Sequence, residues 1–413
     1  MKRALIYVFF FFCLFPFLDF LKIGTDTQPN ALLLAVIPIA ACWRRSAPRA
    51  IYMFGFALLF ALILLCFDTI NFMSLRDIAN YFSIMFVTWG SYLAFRHIGR
   101  LNYFFFVAVN LVWLFIGAVQ SYISPKFMTF LLNGGGRGID SEIRGVTSIA
   151  TEPSQYGTIC ILLAAIAMMN YPIRKIWWIL GLLLFQLIML AQSATALLTL
   201  VIAIGGFLTV KLFMFNKRAV GYGLILVLVG FITYKATYET LKEQRIYSLA
   251  AELVDNPALF FAADGSVSER FMFVFYSFKG MKDNYFLPRG YNKFNDYMQS
   301  EFKKPRTEFT SLLLFYTRDN YTRILSGLGA VFFQLGILGL FIPLGIVACF
   351  RRRLFEDKFL FTCILILSVL LTAFPLMTAI TGFMLGNALH LSMRELNGKE
   401  NSLTSKTLPR VSP

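Results

Sequence analysis

Thr151-Glu152-Pro153-Ser154-Gln155-Tyr156-Gly157 gives one chemically capable side chain a forced position. Proline has no N–H and is tolerated in the first turn of a helix, so a helix restarts near Thr151–Pro153. Glu152 then stands at a helix N-terminus, where the peptide dipoles favour its ionised form. It comes where a loop enters an apolar block, and an acid at membrane depth marks a functional position by default. The chemistry open to such a carboxylate is general-base catalysis, the removal of a proton from an attacking hydroxyl. The structural alternative is a helix-entry residue paired with Arg144.

Three later segments supply cations. Ser268-Glu269-Arg270 opens the run F-M-F-V-F-Y-S-F, which is apolar on nearly every face. Leu287-Pro288-Arg289-Gly290-Tyr291 is a Pro–Gly turn. Arg318-Asp319-Asn320-Tyr321-Thr322-Arg323 precedes an apolar block containing Gly327, Gly329, Gln334 and Gly336. The planar fork of arginine matches phosphate oxygens. Arginines converging near a membrane surface would therefore suit a diphosphate headgroup. Otherwise they are solvated, paired with nearby acids, or interfacial anchors. The G-G-G-R-G at 134–138 lacks the Lys-Ser/Thr ending of a P-loop. Both histidines, His97 and His390, belong to the basic side of the chain, which argues against a His-based mechanism at the other face. Cysteines 13, 42, 66, 160, 349 and 363 all fall in apolar blocks without metal-ligand spacing, so neither a disulfide framework nor zinc is implied. No cofactor is expected.

The elements that must hold these side chains are membrane helices. The 413 residues are 58% hydrophobic and 15% charged, with 46 Phe and a mean hydropathy of +0.68. Soluble domains are about 45–50% apolar and about 25% charged, so a soluble enzyme and a disordered chain are both excluded. Apolar blocks fall at 4–21, 30–43, 50–67, 78–95, 101–123, 147–170, 176–191, 194–215, 219–236, 324–350, 358–373 and 375–391. They predict about twelve spans, or eleven if the last pair is a single element. Barrel strands would alternate in polarity, and these blocks do not.

Lys and Arg cluster at 2–3, 44–49, 96–100, 174–175, 211–218 and 351–358, and in the tail from 394. These segments carry the whole formal net charge of +16, leaving the rest of the chain neutral. Positive-inside bias puts them, with both termini, in the cytoplasm. It also assigns the basic balance to anionic headgroups rather than nucleic acid. The expected organisation is residues 1–236 as helices with short loops, 237–322 as a large loop subdomain outside, 323–393 as the last helices and 394–413 as a cytoplasmic tail. The first span is read as uncleaved, and the tail beyond 397 as disordered.

This pattern resembles the O-antigen and exopolysaccharide polymerase (Wzy) family, related to the O-antigen ligases. The resemblance rests on the span number, the late outer loop, T-E-P-S-Q-Y-G, the Ser268–Arg270 and Pro288–Gly290 segments, and G-I-L-G-L at Gly336–Leu340. It implies a GT-C-like all-α membrane protein of the bacterial inner membrane. Such an enzyme is a metal-independent glycosyltransferase that moves a growing glycan from undecaprenyl diphosphate onto the next lipid-linked repeat unit. Its partners would be undecaprenyl-diphosphate-linked oligosaccharides, membrane lipids, a chain-length regulator and a flippase. Glu152, Arg270 and Arg289 are then the expected catalytic residues, with Glu308 and Asp319 as further candidates for the base. Arg144, Ser154, Tyr291, Arg318 and Arg323 are the expected substrate-binding residues. Ligase-type transfer and transport of lipid-linked sugars are the alternatives. The chain departs from the ligases in having no histidine on the outer side.

Overall fold

The computed structural model describes residues 3–21, 27–42, 47–133, 145–214, 221, 225, 228, 232, 265–304 and 324–407, with the backbone alone from 395. Among the described residues every regular element is helical, apart from an isolated antiparallel bridge between Leu18 and Leu132. In chain order the helices are α1 (Arg3–Leu14), α2 (Asn30–Ala41), α3 (Arg49–Leu65), α4 (Phe72–Ile98), α5 (Tyr103–Tyr122), α6 (Pro153–Asn170) and α7 (Ile173–Phe185). There follow α8 (Ala194–Phe213), α9 (Gly265–Asp283), α10 (Phe294–Phe302), α11 (Gly327–Leu335), α12 (Phe341–Phe350), α13 (Asp357–Thr372) and α14 (Ala379–Thr407). A π-helical turn, Gln186–Ala191, extends α7, and a 3₁₀ turn, Gly336–Leu340, joins α11 to α12.

Among the described residues, four helical stretches are long and apolar enough to cross a membrane: Tyr103–Tyr122, Ile173–Ala191, Ala194–Phe213 and Gly327–Phe350; the expected span 219–236 lies largely outside them. The expectation of about twelve such spans is corrected accordingly. Pro16 follows the end of α1, which leaves 12 residues, about 18 Å of helix against a hydrocarbon core of about 30 Å. The α2 helix is equally short, and α4 carries Arg76, Asp77 and Arg96 inside its 27 residues. The bundle exterior is nonetheless apolar. Tyr52, Phe56, Phe115, Trp177 and Leu184 are all exposed, a surface that suits lipid rather than water. The last helix runs to Thr407, where disorder is expected from composition; no proline intervenes before Pro409.

The largest interhelical contact is between α4 and α14. Gly382 and Gly386 form a small-xxx-small pair on α14. A Cβ on Gly386 would lie 2.5 Å from Ser91 Cβ and 2.6 Å from the Thr88 carbonyl oxygen, so the two backbones meet only because that atom is missing. This contact is absent from the sequence reading, although GxxxG is a sequence signal.

The connections sort into two ends. At one, His390 bonds the Gly99 carbonyl oxygen at 3.0 Å, and Lys211 pairs with Asp357 at 2.5 Å. Arg100, Arg353, Lys358 and Arg394 line a common cavity there. At the other, Gly327 N–H donates to Phe374 O, and Tyr291 N–H donates to Asp68 Oδ2. Of the segments grouped by charge in the sequence, Arg100, Arg353, Lys358 and Arg394 meet around one cavity, and Lys211 reaches Asp357.

Candidate functional site

Residues 265–304, between α8 and α11 in the chain, pack onto the non-cationic end. Met272, Phe273 and Tyr276 of α9 pack with Phe294, Tyr297 and Met298 of α10 and with Phe333 of α11 in a small apolar core. Val267 seats the start of α9 against Ala194 and Leu198 of α8. Two turns lock the subdomain down. Gly290, at φ 81°, lets the P-R-G-Y turn approach Asp68, and its N–H donates to the Gln334 carbonyl oxygen. Gly336, at φ 58°, stands where a Cβ would lie 2.3 Å from the Phe286 carbonyl oxygen; the Ile337 N–H donates to that same oxygen. The G-I-L-G-L run is thus a notch that receives the subdomain.

This docking places Arg270, 6% exposed, against the start of α6. Its Nη1 donates to the Ala373 carbonyl oxygen at 2.9 Å, and its Nη2 lies 3.4 Å from Glu152 Oε2. Glu152 is the N-cap residue of α6 with Pro153 at the first helical position, as the sequence predicts. Its carboxylate makes no cap hydrogen bond and accepts instead from Ser154 Oγ at 3.1 Å. A cation, a carboxylate and a hydroxyl thus converge from helices 118 residues apart.

The rest of T-E-P-S-Q-Y-G holds that carboxylate in place. Thr151 Oγ1 bonds Gln155 Oε1 at 2.6 Å. Tyr156 stacks on Trp113, which stacks on Phe15, and its hydroxyl donates to Gln186 Oε1 at 2.9 Å. Gly157 has Ser193 and Ala196 too close for a side chain. Upstream, Ser148 takes a left-handed φ of 50°, a conformation that costs about 1–2 kcal/mol outside glycine. Gln120 holds it there: its Oε1 accepts from the Ser148 N–H at 2.6 Å and its Nε2 donates to Ser148 O at 2.9 Å. Sequence reasoning passed over Gln120; a buried amide inside an apolar block was the available signal.

Arg289 and Tyr291 lie elsewhere. The Arg289 guanidinium is 4.7 Å from the Tyr297 ring centroid and 5.7 Å from that of Phe333, and its Nε donates to Gly280 O at 2.8 Å. Gly280 is roughly 15 Å along α9 from Arg270 at 1.5 Å per residue, so the two arginines have separate anchorages. Tyr291 is fully buried; its hydroxyl donates to Ala61 O at 2.9 Å. Both serve the docking of the subdomain. Arg144, Arg318, Arg323, Glu308 and Asp319 lie outside the described residues.

A second polar group was missed by the sequence reading. Gln334 Nε2 donates to Asp77 Oδ2 at 2.7 Å, and Tyr81 O–H donates to Gln334 Oε1 at 2.8 Å. These residues line a cleft of about 20 Å³, room for about one water, beside Pro375 and Leu376. Residues 373–378 therefore separate the Arg270–Glu152 pair from Asp77; Asn80 Oδ1 accepts from Met377 N–H at 3.2 Å. Comparison of the chain with protein-family models, with curated proteins and with solved structures finds no match to any of them.

Proposed function

We propose that this chain is a membrane glycosyltransferase that polymerises lipid-diphosphate-linked oligosaccharide repeat units at the outer face of a bacterial inner membrane. The observation that carries the reading is the Arg270–Glu152 pair: a nearly buried guanidinium 3.4 Å from the carboxylate of the residue that opens α6, under a folded subdomain at the end opposite the cationic connections. Positive-inside bias puts those connections and both termini in the cytoplasm, and the pair outside. The GT-C-like architecture is part of the same proposal.

In this reading the acceptor hydroxyl oxygen attacks the anomeric carbon of the donor. The bond from that carbon to the diphosphate oxygen breaks, and the diphosphate leaves with the electron pair. Arg270 neutralises the charge that develops on it. Glu152 takes the hydroxyl proton. The free enzyme holds the two side chains against each other. A donor diphosphate that draws Arg270 toward itself frees the carboxylate for its proton, so the base becomes available only with substrate in place. The undecaprenyl-diphosphate donor is already activated, which accounts for a chain with no nucleotide motif. A flippase that delivers the repeat units and a chain-length regulator are the partners this reaction requires.

The test is the size of the lipid-linked intermediates in host cells. Wild-type cells should hold intermediates longer than one repeat unit, and a deletion strain should hold single units only. Multimers in the deletion strain would reject polymerisation.

A further inference from the structure

We infer that the cationic end of the bundle contains a binding site for the phosphate groups of an anionic membrane lipid. A cavity of about 540 Å³ opens there, far larger than the cleft at the opposite end. The α4–α5 connection brings Arg100 to it, the stretch from α12 into α13 brings Arg353 and Lys358, and α14 brings Arg394, with no acid among the described lining residues. Glu356 bonds Arg353 at 2.6 and 3.1 Å and offsets one of those charges. It also fixes the guanidinium face 4.3 Å from the Phe359 ring centroid, so this arginine is held in place before any ligand arrives. Arg100, Lys358 and Arg394 are exposed.

The walls make a membrane lipid the source of the phosphate. Met169, Tyr171, Pro172 and Leu391 give the cavity an apolar side, and Tyr171 is tied down by its hydroxyl on Leu101 O at 3.1 Å. The same end of the bundle carries large exposed apolar residues close in sequence to the lining: Phe104 (80%) at the start of α5, Ile173 (62%) at the start of α7 and Phe355 (74%) before α13. Acyl chains can lie on that surface while the headgroup enters the cavity. Basic pockets between helices on the cytoplasmic side suit two-phosphate headgroups. The inference uses the opposite end of the molecule from Glu152 and does not depend on the proposed reaction.

The experiment uses the full-length protein, purified in detergent and stripped of lipid. Cardiolipin, phosphatidylcholine and inorganic phosphate are titrated separately, and binding is read by native mass spectrometry. Cardiolipin should be retained and phosphatidylcholine should not. At about fivefold per cation, the R100Q/R394Q double variant should lose about 30-fold in cardiolipin affinity, and K358Q about fivefold. The unfolding temperature of the lipid-free protein should stay unchanged. If the double variant fails to fold, K358Q at the exposed position decides. Equal retention of phosphatidylcholine, wild-type affinity in K358Q, or displacement of cardiolipin by millimolar inorganic phosphate would each overturn the proposal; the last would make it a free-phosphate site.

Discussion

Replacing Glu152 by glutamine separates the two roles that its position allows. The glutamine oxygen can still accept from Arg270 Nη2 and from Ser154 Oγ, both of which reach Glu152 Oε2 in the fold. What it loses is the charge and the capacity to take a proton. A charge-assisted hydrogen bond contributes about 1.5–3 kcal/mol and a neutral one about 0.5–1.5 kcal/mol, so the swap should cost about 1 kcal/mol. The Glu152 side chain is 25% exposed, which screens the pair and keeps the cost at the low end. Glu152→Ala removes the partner altogether and leaves Arg270 on the Ala373 carbonyl. This should cost about 2–3 kcal/mol, below the 3–5 kcal/mol of a fully buried pair. If Glu152 is the base, glutamine should slow polymerisation by about 10²-fold or more at normal protein level. Thermal unfolding in detergent reads the first effect and polymer yield per protein reads the second. Coupling between Glu152→Ala and Arg270→Ala should exceed about 1 kcal/mol in a double-mutant cycle. Near-normal polymer from Glu152→Gln would reject the base, and additive alanine effects would reject the pair.

Other outcomes follow from the packing. Arg289→Ala loses the Gly280 bond and two ring faces, which should destabilise the docked subdomain by about 2 kcal/mol; limited proteolysis should cut faster within 265–304, and wild-type resistance would remove Arg289 from the dock. Gly386→Val drives a side chain into Ser91 and the Thr88 carbonyl, an overpacking cost of about 3 kcal/mol; an unchanged unfolding temperature would contradict the close contact. Glu301, buried at the end of α10, is pushed up in pKa by burial, but hydrogen bonds and charge from Lys279 and Lys304 outweigh this and hold it below its ordinary value. Its contribution is therefore present above about pH 4.3 and lost as pH falls through the lowered value. Hydrogen exchange in 294–302 should accelerate on acidification through that range, and a Glu301→Gln variant should not show the step.

What was legible in the sequence followed from local or summed effects. Pro153 fixes the start of α6 because its missing N–H acts within one turn, so Glu152 falls at the helix entrance without knowledge of the fold. The Lys and Arg clusters group connections by a summed charge, and among the described residues Arg100, Arg353, Lys358 and Arg394 line one cavity. Arg270 as a partner of Glu152 was not legible. Sequence proximity suggests Arg144, which lies outside the described residues, and the fold brings Arg270 to Glu152 across 118 residues. Such a pairing depends on Gly290 and Gly336 docking a distant subdomain. Arg289 and Tyr291 have side chains suited to phosphate and sugar, and the turn that carries them is evident in the sequence. Which way that turn faces is set by Ala61 of α3 and by Asp68 in the connection that follows it. The span count misled because a hydropathy block does not show where a helix ends: Pro16 follows α1 after only 12 residues, and α2 is equally short.

The central claim is that the end bearing Arg270 and Glu152 elongates lipid-linked glycans. Its most direct test is reconstitution of the purified protein into liposomes with undecaprenyl-diphosphate-linked repeat units and no nucleotide. The account predicts a ladder of lipid-linked products longer than one repeat from the wild type and single units from Arg270→Ala at equal folded protein. An identical ladder from Arg270→Ala, or none from folded wild-type protein supplied with its repeat unit, would contradict it.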